Sequence, residues 1–253
     1  MKLKTKIAYT IFPPHVWSVL LQEVKFTRLR WMSHLLPQLR QRITYWQHAR
    51  HFALHLGCGK RVMPGWVNVD AFSYEGVDLQ WDLRYQLPFQ NNSTHMIYSE
   101  HTLEHFFKED ALHFLRDCYR ILEPGGCIRI GVPDAELYIR SYTERRTEFF
   151  KNLQHLGGAV MPLETPIDVI NQMFRMGGHH LFAWDYQTLS ASLATIGYQN
   201  ITRWQSCQAS CNEICLDDPV HAFETLYVEA VKYTFLSAFI PTQLVGRRCM
   251  SSH

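Results

Sequence analysis

The chain has 253 residues, 47% hydrophobic and 19% charged, with a mean hydropathy of −0.19. These values exclude a disulfide-built miniprotein, a fibre and a disordered chain, and they leave room for a sizeable core. The net charge of +2 is unevenly spread. Residues 1–50 carry nine Lys/Arg and one acid, Glu23, whereas the rest is mildly acidic.

The first residues, MKLKTKIAYTIF, have the texture of a secretion signal. Pro13-Pro14 interrupts it and no small-residue cleavage site follows, so a cytoplasmic protein is expected. Residues 15–49 are expected to be helical, with Pro37 breaking or kinking the run. Apolar and basic positions interleave there. The stretch is expected to dock on its own domain; peripheral contact with an anionic membrane is the alternative. Residues 1–50 are therefore set apart as a basic helical extension.

From residue 52 short apolar runs alternate with helical patterns, as βαβ units do. Strands are expected at 52–57, 66–70, 77–82, 94–99 and 127–133, with a helix over 103–122 stopped by Pro124-Gly125-Gly126. An insertion over 134–184 precedes a helix at 185–196, capped by Asp185 and closed by Gly197. Strands at 198–206 and 224–232 close the domain. Residues 233–253 form a tail with no readable signal.

Ligands of an open parallel sheet bind beyond the carboxyl ends of its strands. Three such ends carry suitable groups: Gly57-Cys58-Gly59 after the first strand, Asp70 after the second and Asp82 after the third. Glycines let backbone N–H groups approach a ligand, and a carboxylate there can accept ribose hydroxyls or an adenine amino group. A dinucleotide fingerprint fits poorly, because its third glycine is Val62 and Asp70 follows Gly59 too soon.

The segments LHLGCG, GWVNVD, WDLRYQLPF, MIYSEHTLEHF and RILEPGGCIRIGVPD, in this order, resemble the class I S-adenosylmethionine-dependent methyltransferases, and most closely the small bacterial type 11 group. GGHHLFAWDYQTLSASLATIGYQNI resembles that group's late helix-strand unit. The resemblance covers residues 52–232. It implies an α/β, Rossmann-like, doubly wound sheet of seven strands in the order 3-2-1-4-5-7-6, with strand 7 antiparallel and helices on both faces. It implies S-adenosyl-L-methionine as cofactor. His55, Gly57, Cys58 and Gly59 would line its methionine and ribose side, Asp70 would hold the ribose, Asp82 and Leu83 would flank the adenine, and Ser99 and Glu100 would lie beside the methionine. The chain departs from the group's pattern at His55, where an acid is common, and at Arg61, where a third glycine is common. Lys60 or Arg61 is a candidate partner for the methionine carboxylate.

An oxygen acceptor needs a base of near-neutral pKa, and histidine supplies one. His101, just past the fourth strand, is the first candidate. His180, at the exit of the insertion that would cover the acceptor, is the second. In His101-Thr102-Leu103-Glu104-His105 the acid stands beside the second histidine rather than the first, unlike the H-E-x-x-H zinc motif, and no metal is expected. Cys207, Cys211 and Cys215 are read as ordinary thiols. The expected function is methyl transfer to oxygen of a small-molecule or carbohydrate acceptor, without nucleic acid. The alternatives are a membrane-associated lipid or quinone methyltransferase and a non-catalytic partner subunit of the same fold.

Overall fold

A computed structural model describes residues 13–156, 159 and 162–233. The signal-like start, the glycine pair at 157–158 and the tail from 234 lie outside the described residues. Seven strands form one sheet: β1 (Phe52–Leu56), β2 (Val67–Asp70), β3 (Leu79–Gln80), β4 (Thr94–Glu100), β5 (Leu122–Pro133), β6 (Tyr198–Trp204) and β7 (Thr225–Lys232). Their order is β3-β2-β1-β4-β5-β7-β6, as expected. The β3-β2-β1-β4-β5 pairs are parallel, and β7 runs antiparallel to both β5 and β6. Leu54, Leu56, Val67, Val69, Ile97, Ile128 and Ile130 make the inner strands near-continuously apolar because both faces are covered.

The helices are α1 (Pro14–Leu35), α2 (Pro37–His48), α3 (Lys108–Ile121), α4 (Ala135–Thr143), α5 (Thr147–His155), α6 (Pro166–Arg175) and α7 (Tyr186–Ile196). Pro37 does separate two helices. Leu36 before it is extended, since the proline ring disfavours helical geometry in the preceding residue.

Parallel strands usually need a crossover of a dozen residues or more, commonly helical. Here β1 passes to β2 through residues 57–66 without a helix. Buried Asn68 braces that loop: its Nδ2 donates to the carbonyls of Met63 and Trp66 at 3.1 and 2.9 Å, and its Oδ1 accepts from the Met63 amide at 2.8 Å. Cover comes instead from the N-terminal helices. Ile43 and Trp46 of α2 pack on the main core beside Phe52 and Trp81.

The third strand, expected over 77–82, is confined to Leu79–Gln80, and two further boundaries differ from expectation. Residues 103–105 form a single 3₁₀ turn, and α3 begins only at Lys108. His101 at φ 49° and extended Phe107 interrupt the helical path, while Leu103 still reaches the core. Pro124-Gly125-Gly126 does not stop the helix either. The helix ends at Ile121, and the glycines form a bulge in β5, where Thr94 pairs with Leu122 but Met96 with Cys127. A Cβ on Gly126 would stand 2.9 Å from the Glu123 carbonyl oxygen and 3.0 Å from that of His95.

The insertion has its own small core of Ala135, Tyr138, Phe150, Leu153, Val169 and Met173. It leaves the sheet at Asp134 and returns at Trp184. These two residues form a parallel bridge, and the Ala135 amide donates to the Trp184 carbonyl at 3.0 Å. Fully buried Arg129 on β5 pairs with Asp217 at 2.5 Å and Glu229 at 2.7 Å. That pairing fixes the long β6–β7 loop over the sheet.

Candidate active site

The glycine loop after β1 is clamped to β2. The amides of Gly57 and Cys58 donate to the Val69 carbonyl at 2.9 and 3.2 Å, and the Gly59 amide donates to Asp70 Oδ2 at 2.8 Å. Asp70 Oδ1 accepts from the Phe72 amide at 2.8 Å. Both glycines have positive φ, 72° and 54°, which a side chain disfavours. A Cβ on Gly57 would strike Thr102, whereas one on Gly59 would meet nothing within 4 Å. Gly59 therefore opens onto free space at the strand ends.

Two buried polar atoms next to this loop have no hydrogen-bond partner among the described residues: His55 Nδ1 and Ser99 Oγ. Burial pushes the His55 pKa down to about 4 against the pull of Asn68, with Arg61 adding to the fall, so its ring is neutral. Burial, then the charges of Asp70 and Asp78, push the Cys58 thiol up to about 12, so it is no nucleophile.

Glu100 ends β4 inside a network. Its carboxylate accepts from Tyr227 at 2.6 Å, Tyr98 at 2.9 Å and the Asp218 amide at 3.2 Å. Arg61 Nη1 reaches it at 2.6 Å, and Nη2 donates to the Leu216 carbonyl. Burial, then the Glu100 charge, keep both tyrosines protonated. Arg61 thus spans from the glycine loop to the end of β4.

Asp82 is 4% exposed and its carboxylate is already engaged. Arg30 Nη1 donates to it at 2.9 Å, Arg84 Nε and Nη2 donate at 2.9 Å, and Arg84 also pairs with Glu23 at 2.6 Å. Leu83 beside it is part of the core. Glu23 and Arg30 belong to α1, so the basic extension docks at the adenine end expected from the sequence. The same helix brings Val19 to within 3.9 Å of a Cβ placed on Gly178, at the exit of the insertion.

A cavity of about 340 Å³ lies under the insertion. Its polar wall is His101, Glu104, His105, His180, His221 and Glu224; its apolar wall includes Leu153, Leu163, Val169 and Met173. The structure therefore brings His101 and His180 together, from positions far apart in sequence. His101 Nε2 lies 3.0 Å from Thr225 Oγ1, whose own proton goes to the His221 carbonyl, so Nε2 is the donor. Nδ1 faces Glu104 Oε1 at 3.3 Å. Burial opposes a charge on this ring, but Glu104, Glu224 and Glu100 outweigh it and lift the pKa to about 9. His101, expected as a base, thus holds its proton at neutral pH. Burial instead holds His180 below its ordinary value, against the pull of Glu104.

Sequence reasoning missed Arg30, Arg84, His221 and Glu224. Arg30 and Asp82 are 52 residues apart, and His221 and Glu224 sit in an irregular segment without a motif. Cys207, Cys211 and Cys215 are free thiols, and no metal-ligating cluster among the described residues includes them.

One family model and a set of solved structures match the chain. Residues 70–130 match the family model described as a methyltransferase domain of the type 11 group, so the resemblance read from the motifs holds there. The sheet order is the one that the motif resemblance implies. Among solved structures, an S-adenosylmethionine-dependent methyltransferase of Archaeoglobus fulgidus is 15% identical with a TM-score of 0.44, over 85% of this chain and 99% of its own. One of Thermotoga maritima is 14% identical with a TM-score of 0.43, over 89% and 98%. No curated protein matches the chain in sequence.

Proposed function

We propose that this chain, with its class I methyltransferase sheet, transfers a methyl group from S-adenosyl-L-methionine to an oxygen of a small-molecule or carbohydrate acceptor. The observation that carries this reading is the glycine loop, clamped to Asp70 and open at Gly59, beside the histidine-lined cavity. The residues fit the cofactor's methionine and ribose half. Gly57 and Gly59 give close backbone approach, Asp70 accepts hydroxyls, and the unpartnered Ser99 Oγ and His55 Nδ1 await polar groups. Asp82 fits the adenine only if Arg30 yields. When bound, the cofactor supplies an electrophilic methyl group that an acceptor displaces in line.

The chain's own work is orientation and water exclusion. The insertion roofs the cavity, and its apolar wall takes the non-reacting part of the acceptor. His101 presents a charged imidazolium to the acceptor. Of the two candidate bases, His180 is the one that burial favours in the neutral form, and its Nδ1 donates to the Met173 carbonyl.

Calorimetric titration with S-adenosylmethionine and S-adenosylhomocysteine tests the reading. Micromolar binding is expected, abolished in Asp70→Ala and in Gly59→Val. A folded protein that binds neither ligand would overturn it and favour a non-catalytic subunit.

A second reading places the enzyme at a membrane surface, with a lipid-like acceptor. No described helix is long and apolar enough to cross a membrane. However, α1 leaves Val24, Trp31 and Leu35 more than half exposed beside exposed Lys25 and Arg28. Such a face suits the headgroup region of an anionic bilayer.

A further inference from the structure

Glu104 is buried, 2% exposed, and neither carboxylate oxygen has a hydrogen-bond partner among the described residues. Only the ring of His101 approaches it as an ion pair, on one oxygen at 3.3 Å. His105 and His180 face the same carboxylate. One ligand atom from each of the three residues lies within 4.8 Å of the others.

The two imidazoles are oriented alike. His105 Nδ1 donates to the His179 carbonyl at 3.0 Å, and His180 Nδ1 donates to the Met173 carbonyl. A carbonyl only accepts, so Nδ1 carries the hydrogen in both rings. Nε2 is then the nitrogen of each ring that is left to bind a ligand. Two imidazoles and a carboxylate that makes no hydrogen bond among the described residues therefore meet at the cavity wall. A carboxylate buried with only that one longer contact to His101, on one of its two oxygens, is costly, and a cation held between it and the two imidazoles removes the conflict. Bracing a ligating imidazole through its other nitrogen is also the usual support of a metal site.

The neighbouring group of His101, His221 and Glu224 is satisfied internally. His101 donates to Thr225, His221 Nδ1 meets Glu224 Oε1 at 2.5 Å, and Tyr138 donates to the same Glu224 carboxylate. It leaves no such conflict.

We propose that Glu104, His105 and His180 form a three-ligand site for a divalent transition-metal ion, with an open position facing the cavity. Two imidazoles and a carboxylate suit zinc, cobalt or manganese better than calcium or magnesium, and three protein ligands with an open fourth position mark a catalytic-type site. An acceptor hydroxyl or carboxylate would take the open position. In that arrangement His180 acts through the ion rather than by removing a proton itself. The ion site stands on these side chains alone; its use by an acceptor rests on the methyltransferase reading.

The experiment is Zn²⁺ calorimetry and Co²⁺ absorption spectroscopy on the full chain, with parallel S-adenosylmethionine titration. Wild type, Glu104→Gln, His105→Ala and His180→Ala are compared, each checked by circular dichroism. One ion per wild-type chain is expected, with at least ~10-fold weaker binding in each folded variant and little change in S-adenosylmethionine affinity. Folded wild type that takes up no ion overturns the proposal, whatever the variants do. Undiminished binding in the folded variants, or a Co²⁺–thiolate charge-transfer band, also overturns it by placing the ion elsewhere. Ion uptake without S-adenosylmethionine binding would sink the methyltransferase reading and leave the site standing.

Discussion

Arg30, toward the C-terminal end of α1, donates to Asp82 just past β3 across 2.9 Å. The side chain expected to receive the adenine amino group is thereby bound to the N-terminal extension. On the proposed function, cofactor entry and the seating of α1 would compete for one carboxylate. Arg30→Met is expected to tighten S-adenosylmethionine binding several-fold, read by calorimetry. Unchanged affinity would show that Asp82 takes no part in holding the adenine.

His55 makes acid sensitivity a local property. Its folded pKa of about 4 lies below the ordinary 6.5, so between those values the unfolded chain binds the extra proton. Stability therefore falls as pH drops through that window, by up to ~3 kcal/mol. Urea denaturation of wild type and His55→Gln at pH 7 and pH 4.5 should show a smaller acid loss in the variant. Equal losses would assign the effect to other groups.

Arg129 holds two buried carboxylates at once. Arg129→Met would strand Asp217 and Glu229 without their cation, at a cost of ~3–5 kcal/mol in chemical denaturation. A loss below ~1 kcal/mol would mean that the β6–β7 loop relaxes and lets water reach the acids.

The exposed face of α1 can be tested directly. Flotation with vesicles containing anionic phosphatidylserine should recover the wild type, and Trp31→Ser with Val24→Ser should lower that recovery several-fold. Recovery that is absent in wild type, or unchanged in the double variant, would remove the membrane reading.

Gly126→Ala should cost ~1–3 kcal/mol, because the new methyl group meets the carbonyl oxygens of Glu123 in the β5 bulge and of His95 on β4. A neutral result in thermal unfolding would show that the bulge shifts freely.

The sheet was legible because period and punctuation coincide with it. FALHL, VNVD and THMIYS are apolar runs that end in Gly, Asp or a polar pair at the chemistry-bearing edge. The bulge at Pro124-Gly126 was misread as a helix stop because the same residues punctuate either element. The start of α3 was misplaced because Leu103 and Phe106 keep a helical spacing even though the chain between them turns tightly. The cavity was legible only in halves. His101 and His180 stand out as histidines near expected strand and insertion ends. That His180 would meet Glu104 and His105 depends on how the insertion folds back, and no local pattern encodes that. The Arg30–Asp82 pair was hidden for the same reason: arginine on a basic helix reads as a solvated charge until the partner strand is in place.

The bridge between Asp134 and Trp184 gives the roof of the cavity a single narrow hinge line with adjacent ends. Three helices hang from it with a core of their own. Such a segment behaves as a cassette: it can lengthen, shorten or be exchanged without re-registering β5 or displacing α7. On the proposed function, acceptor choice would drift through the cassette while the strand ends proposed to hold the methyl donor stay fixed, and grafting a foreign cassette at those two residues would offer a route to new acceptors.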